Sequence, residues 1–142
     1  LCNQLQPPWR LSTPVARILV IDDTGVMRNF LREFLTEEGH DVDVAVDGED
    51  GISKALSGDY CLAFCDLHMP RKNGYQVYEQ VSKARPDIQF VFTDSMPDAF
   101  SERLGESGRF FILRKPFDLQ QLRHVLASLV PGAVRHAART RQ

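Results

Sequence analysis

The sequence predicts an α/β fold, a single doubly wound parallel sheet of five strands with helices on both faces. Strand and helix signals alternate five times from Arg17 onward. The first and third strand signals are short continuous apolar runs, the mark of strands covered on both faces. Polar residues then collect just past the strand ends, which is where sites lie in open α/β sheets.

Each element has its own signal. Ile18 to Ile21 is the first apolar run, and Met27, Phe30, Leu31, Phe34 and Leu35 follow at helical spacing, closed by Gly39. Val42, Val44 and Val46 alternate with polar or small residues as a second strand, and Asp47 to Leu56 forms a short helix ending near Ser57-Gly58. Cys61 to Cys65 is a third, buried strand running into Asp66. A loop with Pro70 and Gly74 leads to a helix over Tyr75–Ala84, stopped before Pro86. Ile88 to Phe92 is the fourth strand, ending at Thr93, then a weak helix spans Pro97–Leu104 and a fifth strand spans Phe110–Leu113. Leu119, Leu122, Leu126 and Leu129 mark the last helix, which Pro131-Gly132 is expected to end.

Composition narrows the function classes. The 142 residues suffice for one domain with a real core, and a net charge of −2 argues against coating nucleic acid or an anionic membrane. No apolar run reaches the roughly 20 residues of a membrane span. The first residues lack a secretory core and begin on Leu1, so the expectation is a processed or excised piece of a cytoplasmic protein. Cys61 and Cys65 would lie about 13 Å apart along one strand, too far for a disulfide, and no second Cys/His pair completes a zinc site. Buried core thiols are expected.

Asp22 and Asp23 follow the first strand, Asp66 the third, Thr93 the fourth and Lys115 the fifth. Singly, each has an ordinary role: a capping aspartate, a turn threonine, a surface lysine. In this register all five converge on one sheet edge. Two carboxylates about 4 Å apart repel by several kcal/mol at an effective dielectric near 20, so the cluster calls for a cation. Oxygen donors without clustered His or Cys favour Mg²⁺. A metal, an ammonium and a hydroxyl together suit a phosphoryl group, with Asp66 as nucleophile.

The segments Arg17 to Asp23 (RILVIDD), Asp66 to Pro70 (DLHMP) with Asn73-Gly74, Phe92-Thr93, and Arg114 to Phe117 (RKPF) resemble the receiver domain of two-component response regulators, over about Arg17 to Val130. The resemblance implies a flavodoxin-like sheet of order 2-1-3-4-5. It implies a phosphorelay switch, not an enzyme acting on other substrates. Asp66 takes a phosphoryl group from a sensor histidine kinase or histidine phosphotransfer protein. Asp22, Asp23, Asp66 and the backbone carbonyl of His68 hold Mg²⁺, while Lys115 contacts the phosphoryl group and Thr93 moves toward it. The partner that reads the switched surface is not specified, and no nucleic-acid or membrane contact is expected.

Three positions depart from the family pattern. Asp94 follows Thr93 where a small residue is usual, and would crowd or repel an anionic donor, helix capping being its bland alternative. Ile112 stands where an aromatic is common, with Phe110 and Phe111 expected to face differently. His68, two after Asp66, is read as a loop histidine or as one that tunes hydrolysis of the aspartyl phosphate. Residues 1–16 read as an extension or linker holding Trp9, 17–130 as the receiver, and 131–142 as a basic tail with Arg135, Arg139 and Arg141. The competing readings are a dehalogenase-like phosphatase, which wants an acid where His68 stands, and a pseudo-receiver that keeps the fold without phosphorylation.

Overall fold

The computed structural model describes residues 15–141, with side chains described as far as Val130. Ten elements alternate: β1 (Arg17–Ile21), α1 (Gly25–Glu37), β2 (Asp41–Ala45), α2 (Gly48–Ser57), β3 (Leu62–Asp66), α3 (Gly74–Ala84), β4 (Gln89–Asp94), α4 (Ala99–Glu106), β5 (Phe111–Arg114) and α5 (Leu119–Arg141). The strands form one parallel sheet in the order β2-β1-β3-β4-β5, the architecture expected from the alternating signals.

Strand side chains alternate between the two sheet faces, and the core divides accordingly. Leu19, Ile21, Ala63, Cys65, Phe90 and Phe92 pack with α2, α3 and α4 through Ile52, Val77, Val81 and Leu104. Ile18, Val20, Leu62, Phe64, Val91 and Leu113 pack with α1 and α5 through Leu31, Phe34, Leu35, Leu122 and Leu126. Burying such a side chain stabilises by roughly 1.5–3 kcal/mol, so the three inner strands are the rigid platform from which the site projects. All five residues of β3 are buried, which explains its continuous apolar run up to Asp66.

Several boundaries differ from the sequence expectation. β4 continues to Asp94, because Lys115 N–H donates to the Asp94 carbonyl (2.7 Å) and extends the ladder. α4 starts at Ala99 rather than Pro97, since Asp98 caps it: Asp98 Oδ1 accepts from Ser101 N–H and Ser101 Oγ accepts from Asp98 N–H, each at 2.9 Å. α5 does not end at Pro131-Gly132 but runs to Arg141. Pro131 and Gly132 are the two least favourable residues for a helix interior, yet the helix carries both, so a local stop signal did not set its end. Cys61 precedes β3 and is half-buried, so among the described residues Cys65 is the one fully buried core thiol; both are free. Burial pushes the Cys65 thiol well above its ordinary pKa.

The fold begins earlier than Arg17. Ala16 is buried, its N–H donates to His40 Nδ1 (3.1 Å) and its carbonyl accepts from Asp41 N–H (3.0 Å). Trp9 and most of the N-terminal extension lie outside the described residues, as do the side chains of Arg135, Arg139 and Arg141.

Candidate functional site

Register and alternation build the site. Ile21 pairs with Cys65, so Asp22 comes out beside Asp66, and Asp66 itself pairs with Thr93. Asp22, Asp66, Thr93 and Lys115 continue the alternation of Val20, Phe64, Val91 and Leu113, which all belong to the α1/α5 side of the core. The four side chains therefore emerge toward one place. Asp22, Asp66 and Thr93 are buried, Lys115 keeps 13% of its side chain exposed, and Asp23 is open to solvent.

Charge in the cluster is unbalanced. Lys115 Nζ donates to Asp22 Oδ2 at 3.0 Å and lies 3.6 Å from Asp66 Oδ2. Asp22 Oδ1 accepts from Thr24 N–H (2.8 Å), and Asp66 Oδ1 accepts from His68 N–H (3.2 Å). Burial raises the Asp66 carboxyl from 3.8 to about 6; Lys115 and the His68 N–H oppose the rise, and Asp22 and Asp23 add to it. Thr93 Oγ1 is buried without a hydrogen-bond partner. A buried hydroxyl left unpaired costs about 1–3 kcal/mol, so it marks a place where a further group belongs.

The donor set fits a hard divalent cation. One oxygen each from Asp22, Asp23 and Asp66 lies within 4.8 Å of the others, and one lysine does not neutralise three carboxylates. Oxygen-only donors with an exposed member, Asp23, suit an ion that keeps some of its water.

The surrounding loops hold these groups by close backbone contact. A Cβ on Gly74 would meet the Asp66 carbonyl oxygen at 2.5 Å, so only glycine lets α3 start this near the end of β3. Asn73 caps that helix, its side chain accepting from Gln76 N–H and the Gln76 side chain accepting from Asn73 N–H, both at 2.9 Å. Arg71, at φ 67°, turns the loop between them. Arg28 Nη1 donates to the Asp22 carbonyl (2.8 Å) and ties α1 to the end of β1. The Lys115-Pro116 peptide is cis. Arg28 and Asp98 escaped the sequence reading: an arginine on a helix has no distinctive spacing, whereas Asp98 followed by Ser101 was a readable cap.

The departures resolve differently from expectation. Asp94 follows the alternation of Phe90 and Phe92, on the sheet face opposite Thr93, and its side chain is fully buried. It therefore neither lines an open donor path nor caps α4. Oδ1 accepts from Met96 N–H (3.1 Å) and lies 3.1 Å from His68 Nε2. His68 keeps only 20% of its side chain exposed and also lies 3.8 Å from Asp98 Oδ2, so it is not a free loop histidine. Ile112 is half-buried on the α2/α3/α4 side, and Phe110 packs on that same side against Tyr78 and Phe92. Only Phe111 faces differently, and it is exposed.

A model described as the response regulator receiver domain matches residues 18–127. The chain belongs to that family. The receiver domain is 30% identical over 109 residues to the response regulator ArlR of Staphylococcus saprophyticus, covering 76% of this chain and 49% of the relative. It is 28% identical over 107 residues to the transcriptional regulatory protein DltR of Streptococcus agalactiae, covering 75% and 48%. The chain thus spans about half the length of the curated relatives it matches. Among solved structures it resembles the response regulator TrrA of Thermotoga maritima, determined in complex with Mg²⁺-BeF, at 30% identity and a TM-score of 0.72, covering 80% of this chain and 98% of that one. A CheY-like receiver domain protein from Methanospirillum hungatei shares the fold at 20% identity and a TM-score of 0.78, covering 86% and 98%. Phosphorylation of an aspartate is the switch of this family, and receiver domains bind Mg²⁺ at an acidic pocket. Among the described residues no helix is long and apolar enough to cross a membrane.

Proposed function

We propose that Asp66 is the phosphoacceptor of this receiver domain, taking its phosphoryl group from the phosphohistidine of a histidine kinase or phosphotransfer protein. The observation that carries this reading is a buried carboxylate at the end of the central strand, 3.6 Å from Lys115 and beside the unpartnered hydroxyl of its register partner Thr93.

An Asp66 oxygen forms the new bond to phosphorus as the bond to the donor imidazole nitrogen breaks, the electron pair leaving with that nitrogen. Lys115 faces the oxygens of the transferring group, and Thr93 Oγ1 gains in it the partner it lacks. Asp22, Asp23, Asp66 and the His68 carbonyl would hold Mg²⁺, which offsets the charge of the carboxylates and of the phosphoryl oxygens. Satisfying Thr93 and drawing Lys115 onto the new group biases β4 and β5, whose outer surface a downstream partner then reads. The His68 ring engages Asp94 and Asp98, which leaves the acid position of a dehalogenase-like phosphatase without a free group.

The test is phosphorylation of the chain by acetyl phosphate with Mg²⁺, followed by intact mass. The parent gains one phosphoryl group that hydroxylamine removes, and Asp66→Asn gains none. A hydroxylamine-labile adduct retained in Asp66→Asn overturns the assignment.

A further inference from the structure

Asp94 is a buried carboxylate that the proposed phosphoryl transfer does not use. Its Oδ2 is buried without a hydrogen-bond partner, and Oδ1 has one backbone donor, Met96 N–H. A carboxylate so placed needs a further polar or cationic neighbour to offset its loss of water. Among the described residues, His68 is the basic side chain within 4 Å of it, at 3.1 Å from Nε2. That approach has ion-pair distance without hydrogen-bond alignment.

His68 joins two environments. Its side chain crosses to the end of β4 and the cap of α4, while its backbone N–H donates to Asp66 Oδ1. Its neighbours are fixed independently: Leu67 N–H donates to the Thr93 carbonyl (2.9 Å), and Met69 is buried in the core. Leu67 and Met69 restrict the His68 backbone, and its ring adds a further tie from this loop to Asp94 and the cap of α4.

The geometry points to Asp94 as a positioning residue for the metal and phosphoryl site, acting through the His68 ring. Asp94 stands against the ring, the ring steadies the His68 backbone, and that backbone presents its N–H to Asp66 and, on the proposed metal site, supplies the carbonyl that joins the carboxylate trio. This inference rests on the receiver reading above, because the His68 carbonyl matters only if a metal is bound there.

The experiment measures Mg²⁺ dissociation constants by calorimetry, using Mg²⁺ alone, with urea unfolding in EDTA as an independent measure of folding. Partners that orient metal ligands typically cost 10–100-fold in affinity when removed. Because Leu67 and Met69 still constrain the loop, we expect a smaller loss, about fivefold, in Asp94→Ala and in His68→Ala. The double variant should lose no more than either single one, as members of one contact do not add. Asp94→Asn keeps an acceptor without the charge, and His68→Gln keeps a donor near the Nε2 position; both should bind within about twofold of the parent. Additive losses, or unchanged affinity in the alanine variants, overturn the inference. So does Asp94→Asn behaving like Asp94→Ala, which would mean that charge acts at a distance. If Asp94→Ala fails to fold in EDTA, His68→Ala against His68→Gln decides alone, with equal affinities overturning it. Failure of the parent itself to bind Mg²⁺ would instead strike the proposed metal-dependent phosphoacceptor site.

Discussion

The two ends of the sheet both carry aspartates, and they treat them in opposite ways. At the end where the strands begin, Arg17 Nη2 donates to Asp43 Oδ2 (2.8 Å), Arg17 Nε lies 3.2 Å from Asp41, and Tyr60 donates to the same Asp43 oxygen (2.6 Å). The Arg17 guanidinium also lies over the Tyr60 ring at 4.9 Å. Arg17, Asp41 and Asp43 keep some 39–44% of their side chains exposed, so water reaches the charged groups, although Arg17 Nε itself is buried without a hydrogen-bond partner. At the end where the strands finish, Asp22 and Asp66 are buried, one lysine faces three carboxylates, and Thr93 Oγ1 has no partner. Acidic residues alone therefore do not distinguish the functional edge. Burial of the carboxylates themselves with too few cations to pair them does, because such an arrangement costs free energy that a structural role would not require; the buried Arg17 Nε belongs to a cluster whose charges are otherwise exposed.

The largest effect expected from this contrast comes from Gly74. The atoms a Cβ would strike are the Asp66 carbonyl and Leu67 Cα, backbone that cannot swing aside. Gly74→Ala should destabilise by about 2 kcal/mol, as overpacking typically does, and should slow phosphorylation by displacing Asp66. Gly105→Ala in α4 is the control: its nearest neighbour is Ile112 Cδ1 at 3.8 Å, so the variant should gain about 0.5–1 kcal/mol from helix propensity. Urea unfolding of both variants tests this, and equal stabilities would show that the tight approach at Gly74 relaxes freely.

Asp66 sharpens the comparison next. Its folded carboxyl titrates at about 6, above the ordinary 3.8, so folding disfavours its charged form. Its contribution to metal-free stability is then highest below about pH 4, falls as pH rises through about 6, and is level above that. Full conversion of that rise gives roughly 3 kcal/mol as an upper bound, and relaxation of the surrounding loops and water entry reduce it to about 1–2 kcal/mol. In EDTA at pH 7, Asp66→Asn should be more stable than the parent by that amount, and the gap should close by pH 4. A variant less stable than the parent at pH 7 would contradict the crowding of the carboxylates.

Much of this edge was readable before any coordinates. The strand-end positions of Asp22, Asp66, Thr93 and Lys115 follow from hydrophobic runs and turn residues. Their convergence on one side follows from two-residue alternation, since each continues the alternation of a residue in the α1/α5 core. The same alternation applied to Asp94 places it opposite Thr93, and expecting it to crowd the donor amounted to reading adjacency in sequence as adjacency in space. Phe110 was misplaced likewise: lying two residues from Ile112, it shares that residue's side. The reach of His68 to Asp94 was not legible, because a loop between β3 and α3 has no period to project. Nor was the continuation of α5 through Pro131, because Pro131-Gly132 is a local stop signal that the helix nevertheless passes.

Magnesium should shift the balance between the two ends without touching the first. At ten times its dissociation constant, a ligand bound only by the folded state adds about 1.4 kcal/mol. Thermal unfolding of the parent should rise with millimolar Mg²⁺, and Asp23→Ala should respond much less while losing little stability in EDTA, since Asp23 is exposed and removes one of three like charges. An equal response in both would place the ion elsewhere.

The smallest effect belongs to the solvated edge, at Tyr60. Burial, and then the hydrogen bond to Asp43, push its hydroxyl up to about 12 from 10.0. The folded state thus favours the neutral phenol, whose contribution is fully present below about pH 10 and is lost as pH rises through about 12. Tyr60→Phe keeps the ring under Arg17 and removes only the donor to Asp43, so it should cost about 1 kcal/mol at pH 7, the usual net worth of such a bond. The half-exposed Asp43 keeps its bond from Arg17 and gains water in place of the phenol, which keeps the loss small. Above pH 10 the parent should lose stability faster than the variant, narrowing the difference. Mg²⁺ affinity and phosphorylation of Asp66 should be unchanged throughout, because Tyr60 stands at the opposite end of β3. A drop in either, at constant folding, would mean that the two ends are coupled through the strand and that the solvated edge is part of the switch.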